Sequence, residues 1–445
     1  MRANKFANFV LIGGLLFFGM MLAYAFYRIT SYDLNKHHFF FAAISFVGIV
    51  ICLLAFKLRQ DYKINLVITG LSIVFGVYFV EIVLFFSSPN FKNAERINLA
   101  KKMGISFDTR TRWKVIDELK KRGVDAVPSV SPRNHVSYNG LEIEGKRIFP
   151  LSGISQKTTV LCNENGEWAI YESDEHGFNN PTGLFEEGIY LLLVGDSFTH
   201  GFCVKQGESI AGQMRRMSGM RVINLGSGGN GPLIEFATLK EYGQPLKPKY
   251  VLWMYYERND LADLKREQTS LFLKYRDDQF SQHLISRQSE IDFLLSELPQ
   301  KRKEKKWQMR KGHLLHILTL KNLRKKLMLG FLVPPPPPSS LFTELLEKAK
   351  FLTSSWGGQF YFVYLPSWAR YAKDVEHGSF CYRNRVLSIV KHLNIPIIDI
   401  HEKVFAVHPD PVSLFPFRIH GHYTSEGYRL VAQAIHTHLV SINQK

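Results

Sequence analysis

Ile189-Tyr190-Leu191-Leu192-Leu193-Val194-Gly195-Asp196-Ser197-Phe198-Thr199-His200-Gly201 decides the architecture of this 445-residue chain. An apolar run with no polar alternation ends in a glycine and a short polar turn. A strand covered on both faces reads this way, whereas a half-solvated strand alternates. Runs of the same kind follow at Val222–Leu225, Tyr250–Tyr255, Phe360–Tyr364 and Pro396–Ile400. Amphipathic stretches lie between and after them, near Glu208–Met217, Pro232–Tyr242, Leu341–Ser355, Phe380–His392 and Ser425–Leu439. Strands alternating with helices predict a three-layer α/β/α domain around a parallel five-stranded sheet.

Upstream of this core the chain changes character. Phe6–Tyr27 and Phe39–Phe56 carry no charged side chain, and Ile64–Phe86 is broken only by Glu81. Each run is close to the roughly 20 residues a helix needs to cross the hydrocarbon core. None has a polar face, as a helix on the surface of a water-soluble domain has. Three transmembrane helices over residues 1–86 are therefore predicted. Ala23-Tyr24-Ala25 resembles a signal-peptidase site, but the long first run favours an uncleaved span. Arg2, Lys5, Lys57, Arg59 and Lys63 on one flank nearly balance Arg28, Lys36, Lys92, Arg96, Lys101 and Lys102 on the other, and the first helix, which usually dominates, puts the amino terminus inside. The rest of the chain is then expected on the extracytoplasmic, periplasmic side of a multi-pass membrane protein. Glu81, near the end of its run, is expected to be an interfacial carboxylate.

Residues 87–184 read as a linker and amino-terminal extension, largely irregular, with a helix near Arg112–Arg122. Residues 185–445 form the α/β domain, interrupted at about 264–340 by a basic, helical insertion that ends in the stiff run Pro334–Pro338. The chain has 56 Lys and Arg against 39 Asp and Glu, a net charge of +17, with much of the excess between Lys265 and Lys326. No aromatic-basic single-strand motif accompanies that charge, so nucleic acid is not an expected partner. An anionic surface, a lipid headgroup layer or an acidic polysaccharide suits the basic insertion better, and a solvated helical face suits it as well. Cys162, Cys203 and Cys381 are an odd set that allows one disulfide at most. His313 and His316 have metal-like spacing on a helix but no evident third ligand. No metal and no cofactor are expected.

Ligands of an open parallel sheet bind at the carboxyl ends of its strands. Those ends carry Gly195-Asp196-Ser197, then Gly226-Ser227-Gly228-Gly229-Asn230-Gly231, then Glu257-Arg258-Asn259-Asp260. The last helix opens with His420-Gly421-His422-Tyr423. A serine, a glycine-rich turn, an asparagine and a histidine are what acyl transfer needs. The hydroxyl attacks, the imidazole takes and returns its proton, and amide donors hold the oxyanion.

In their order and placement these blocks resemble the SGNH (GDSL-type) hydrolase superfamily. The resemblance covers about residues 185–445 without the insertion and implies an SGNH-like, flavodoxin-like fold. It implies Ser197 as nucleophile, His422 as base, and Gly229 and Asn259 as oxyanion donors beside the Ser197 amide. The family's aspartate, two or three residues before the histidine, is absent, since Ile419 and His420 stand there. Asp399 and Asp410 are the candidate orienting acids, and a Ser–His dyad is the simpler alternative. Glu257 replaces the third-block glycine. Tyr171–Phe178 resembles a segment that precedes the first strand in membrane-associated members, with substrate-side and structural uses both open. The implied activity is that of a membrane-anchored serine esterase or O-acyltransferase. Its substrate would be an ester-bearing cell-surface polysaccharide or, next, a lipid. The alternative is a non-catalytic carbohydrate- or lipid-binding subunit that keeps the fold.

Overall fold

The structure, a computed structural model, describes residues 2–31, 36–87, 91–137, 139–143, 145–185, 188–304, 316–326, 336–372 and 380–443. Two compact units form: Met1–Pro89 with Trp307–Gly330, and Asn90–Lys306 with Phe331–Lys445. His313, Lys305, Lys306, Pro334 and Pro335 lie outside the described residues.

The larger unit is built on a parallel five-stranded sheet. Its strands, in chain order, are β1 (Leu191–Gly195), β2 (Val222–Asn224), β3 (Tyr250–Tyr256), β4 (Gln359–Leu365) and β5 (Ile397–Asp399). They lie in the order β5-β4-β3-β1-β2, the doubly wound flavodoxin-like arrangement. Alternate residues face opposite layers. Leu192, Val194, Val251, Trp253, Phe360 and Phe362 pack with helices Pro232–Thr238, Ser340–Ser355 and Arg383–His392. Leu191, Leu193, Leu252, Met254, Tyr361 and Val363 pack with helices Ile210–Ser218 and Ser425–Asn443. Both faces are thus apolar, which is why the strands show no period-two pattern. Each fully buried aliphatic side chain contributes about 1.5–3 kcal/mol.

The helices begin and end where local chemistry sets them. The Ser209 and Ser339 hydroxyls accept from the amides of Gly212 and Phe342, and Pro232 occupies a first-turn position that needs no donor. Residues 90–184 belong to the same compact unit as the sheet. They form helices Phe91–Lys102 and Arg112–Lys121 and a small three-stranded sheet of Ala126–Pro128, Thr158–Val160 and Ile170–Glu172.

The smaller unit contains helices Arg2–Ser31, Lys36–Phe56 and Gln60–Ser87. Within them Arg2–Tyr27, Phe39–Phe56 and Gln60–Phe85 are long and apolar enough to cross a membrane. Large apolar side chains such as Phe9, Met20 and Phe75 point outward, while Ala7, Ala25 and Ala55 are buried between helices. Gly48 faces the Phe18 ring so closely that a Cβ would collide with it. Small residues at such crossings let apolar helices pack by shape. Glu81, in the last turns of its helix, is tied to the insertion. It is fully buried, and its carboxylate accepts from the Asn322 amide (3.0 Å), the Asn322 side chain (2.9 Å) and the Leu323 amide (2.7 Å). The basic insertion therefore contributes residues 316–326, including helix Lys321–Lys326, to the unit of apolar helices.

Candidate active site

Asp196 ends the turn after β1 and caps the short helix Ser197–His200, accepting from the Phe198 amide at 2.8 Å. Gly195 has no room for a Cβ against Thr199, so the turn tightens and lifts Ser197 to the strand end. The Ser197 hydroxyl lies 2.9 Å from Nε2 of His422, which stands just before helix Ser425–Asn443. The His422 ring sits between two others, with Phe198 at 4.8 Å and Phe202 at 5.0 Å between centroids. Tyr423 anchors the same turn by donating its hydroxyl to the Pro366 carbonyl at 2.6 Å.

The other ring nitrogen of His422 faces a carboxylate absent from the candidates above. Glu164 Oε2 is 3.0 Å from His422 Nδ1 and accepts from the His422 amide at 2.8 Å. Neither Asp399 nor Asp410 takes this place. Asp399 closes strand β5, where it pairs with Arg383 and accepts from the Glu402 amide. Asp410, half-exposed, pairs with Arg418. Both carboxylates already have guanidinium partners on their own side of the fold.

Glu164 lies in the turn joining strands Thr158–Val160 and Ile170–Glu172. The turn is held by Asn163, whose side chain accepts from Gly166 N (2.9 Å) and donates to the Asp108 carbonyl (3.0 Å). Gly166, at φ +104°, has its place against the Ser106 carbonyl. A disulfide joins Cys162 to Cys203, and Asn165 donates to the Cys203 carbonyl at 2.7 Å. These ties fasten the Glu164 turn to the loop that follows Ser197. Burial alone would raise the Glu164 carboxyl. The charge and hydrogen bonds of His422, with the charge of Arg96, outweigh burial and hold the carboxyl well below the usual glutamate range. Glu164, Cys203 and His422 also cluster as metal ligands do, but the Cys203 sulfur is taken by the disulfide.

Gly229 and Asn259 occupy the expected loops after β2 and β3. Gly229, at φ +76°, lies directly beneath the Arg133 side chain, so a Cβ there has no space. Arg133 also faces Asp263 at 3.8 Å. Asn259 stands at the N-cap position of helix Asp260–Glu267 and donates to Asp263 at 2.5 Å. Asp196 itself is fully buried, and burial pushes its carboxyl up. Glu257 is a structural pin: it accepts from Ser367 N (2.6 Å) and pairs with Arg370 and the Tyr364 hydroxyl. His200 is buried against Tyr171 and Phe202, and burial pushes it down to about 4, which leaves it neutral. In the segment Tyr171–Phe178, Asp174 is fully buried and accepts from the amides of His176 and Phe178 and from Asn180, a turn-forming use.

No family model and no curated protein matches this chain. Among solved structures it is similar to a lipase/acylhydrolase from Enterococcus faecalis, at 14% identity and TM-score 0.33 over 56% of this chain and 93% of that one. It is also similar to the acetyl xylan esterase AlAXEase, at 12% identity and TM-score 0.32 over 56% and 98%. A two-domain esterase active on acetylated mannans is similar at 15% identity and TM-score 0.33, over 58% of this chain and 50% of the other.

Proposed function

We propose that this chain is a membrane-anchored serine esterase or O-acyltransferase that works through an acyl-enzyme. One observation carries the reading: a serine hydroxyl, an imidazole and a low-titrating carboxylate stand in line at 2.9 and 3.0 Å. The Glu164 carboxylate fixes the tautomer with the proton on Nδ1, leaving Nε2 free to accept. Ser197 Oγ attacks the acyl carbonyl carbon as its proton passes to Nε2. The tetrahedral oxyanion is held by the amides of Ser197 and Gly229 and the Asn259 side chain. Collapse expels the alcohol, which takes the proton from His422. A second hydroxyl then attacks the acyl-enzyme by the same route and restores Ser197. Water as that acceptor gives hydrolysis, and a sugar hydroxyl gives transfer.

An acyl ester of a cell-surface polysaccharide is the substrate class we favour. The three apolar helices support attachment to a membrane, and the Cys162–Cys203 pair supports an oxidising, extracytoplasmic compartment. Turnover of p-nitrophenyl acetate and release of acetate from acetylated polysaccharide test the reading. Ser197→Ala should lower kcat by about 10⁴-fold or more. Wild-type protein without turnover, or a Ser197→Ala variant that retains it, contradicts the reading and favours a binding subunit.

A further inference from the structure

An acid can orient a histidine only while it is itself held, and a carboxylate has two oxygens to satisfy. In Glu164 one oxygen, Oε2, serves the amide and ring of His422. The other, Oε1, meets Nη2 of Arg96 at 2.9 Å. Arg96 comes from helix Phe91–Lys102, far from the sheet in sequence, and is only 5% exposed. The same Nη2 also donates to the carbonyl of His420 at 3.1 Å. A single guanidinium thus grips the acid and the backbone two residues before the base. The residue between, Gly421, lets the three approach: a Cβ there would lie 3.0 Å from Glu164 Oε2 and 3.2 Å from Arg96 Nη2.

We infer that Arg96 is a positioning residue of the catalytic machinery, locking Glu164 and the His420–His422 backbone into one geometry with its two-point grip. The inference rests on the serine-hydrolase reading above and adds a fourth member to it, from outside the sheet. His420, at one of the two positions where the resembled family keeps its acid, takes part through its carbonyl. A planar guanidinium fixes the directions of its N–H donors, whereas an ammonium on a flexible stem does not. The cation also keeps the buried carboxylate ionised, since burial would otherwise favour its neutral form.

A purely structural Arg96 would change folding stability and leave the folded enzyme's kinetics and pH profile alone. Steady-state kinetics on the full chain in detergent, with p-nitrophenyl acetate as the probe, separate the two roles. Arg96→Met should lower kcat on the order of 10²-fold, the scale of a small misplacement of a catalytic group, with KM within about twofold. Its acid limb of kcat/KM should move to higher pH, because losing a cation beside the His422–Glu164 pair makes proton uptake by the pair easier. Arg96→Lys should fall between, about five- to tenfold below wild type, with most of the pH shift rescued. Wild-type kcat and an unmoved acid limb in folded Arg96→Met overturn the inference. Should that variant fail to fold, Arg96→Lys decides, and wild-type kcat there overturns it. If wild type has no turnover, or Ser197→Ala keeps it, the underlying reading has failed instead.

Discussion

Two glutamates withdrawn from solvent, Glu81 fully and Glu164 mostly, one in each compact unit, make an instructive pair. Glu81 sits in an apolar helix and Glu164 in a turn of the extension, and each finds a partner more than two hundred residues away. Glu81 is met by two backbone amides and an asparagine side chain, all neutral donors. Glu164 is met by a guanidinium and an imidazole, and that imidazole touches a serine. The first arrangement satisfies a charge and docks one segment on another. The second places a charge where, in the proposed mechanism, a proton is moved. Both are withdrawn from solvent, so the chemistry of the partners, not burial, sets the carboxylate of the proposed mechanism apart from a docking one.

That contrast is sharpest in Glu164→Gln. An amide in place of the carboxylate can present the wrong hydrogen-bonding group to His422 Nδ1, and kcat should fall by about 10²–10⁴-fold with the fold retained. The same variant has a pH signature. The carboxyl is held low in the folded state, so its stabilisation is complete above the ordinary glutamate range, near 4.3, and is lost as pH falls through the lower folded value. Acid unfolding monitored by circular dichroism should show that loss in wild type and not in Glu164→Gln. Equal acid profiles, or undiminished kcat, would break the comparison on its catalytic side.

Opening the Cys162–Cys203 pair should have the next largest effect. The bridge closes a separation of 41 residues, which in the chain-entropy view stabilises the fold by about 4 kcal/mol. It also ties the Glu164 turn to the loop after Ser197. The double variant Cys162→Ser/Cys203→Ser should lose on the order of tenfold in kcat as well as melting temperature. A loss of stability with full turnover at low temperature would show that Asn163, Asn165 and Arg96 suffice to hold the turn.

Glu81→Gln should leave ester turnover within about twofold. Glu81→Leu should free the Asn322 and Leu323 amides at a cost of about 1–3 kcal/mol, the scale of an unsatisfied buried group. Hydrogen exchange at those two amides measures it. Unchanged protection in Glu81→Leu would mean that the carboxylate does not hold residues 316–326.

These two carboxylates also mark where reading the sequence succeeds and where it stops. The five strands were legible because apolar runs such as Leu191–Val194 and Tyr250–Tyr256 are buried on both faces. Ser197 and His422 were legible because strand ends and helix starts carry a sheet's chemistry. Glu164 was not, because it lies in a turn of residues 87–184, where Asn163, Asn165 and Gly166 read simply as turn formers. One signal pointed toward it: if Cys162 pairs with Cys203, Glu164 comes to the loop following Ser197. The odd number of candidate cysteines left that pairing open. Asp399 and Asp410 are nearer His422 in sequence, but Arg383 and Arg418 claim them. The boundary at the insertion was equally hidden, since nothing in Lys321–Lys326 announces that its first amides meet a carboxylate in an apolar helix.

The central claim is that Ser197 is a nucleophile activated by His422, and covalent capture tests it most directly. Wild-type protein treated with a fluorophosphonate and analysed by intact mass and peptide mapping should carry one phosphonyl group, on Ser197. Labelling should be absent in Ser197→Ala and much slower in His422→Ala. An unlabelled wild type, or a label mapped to another residue, would contradict the account.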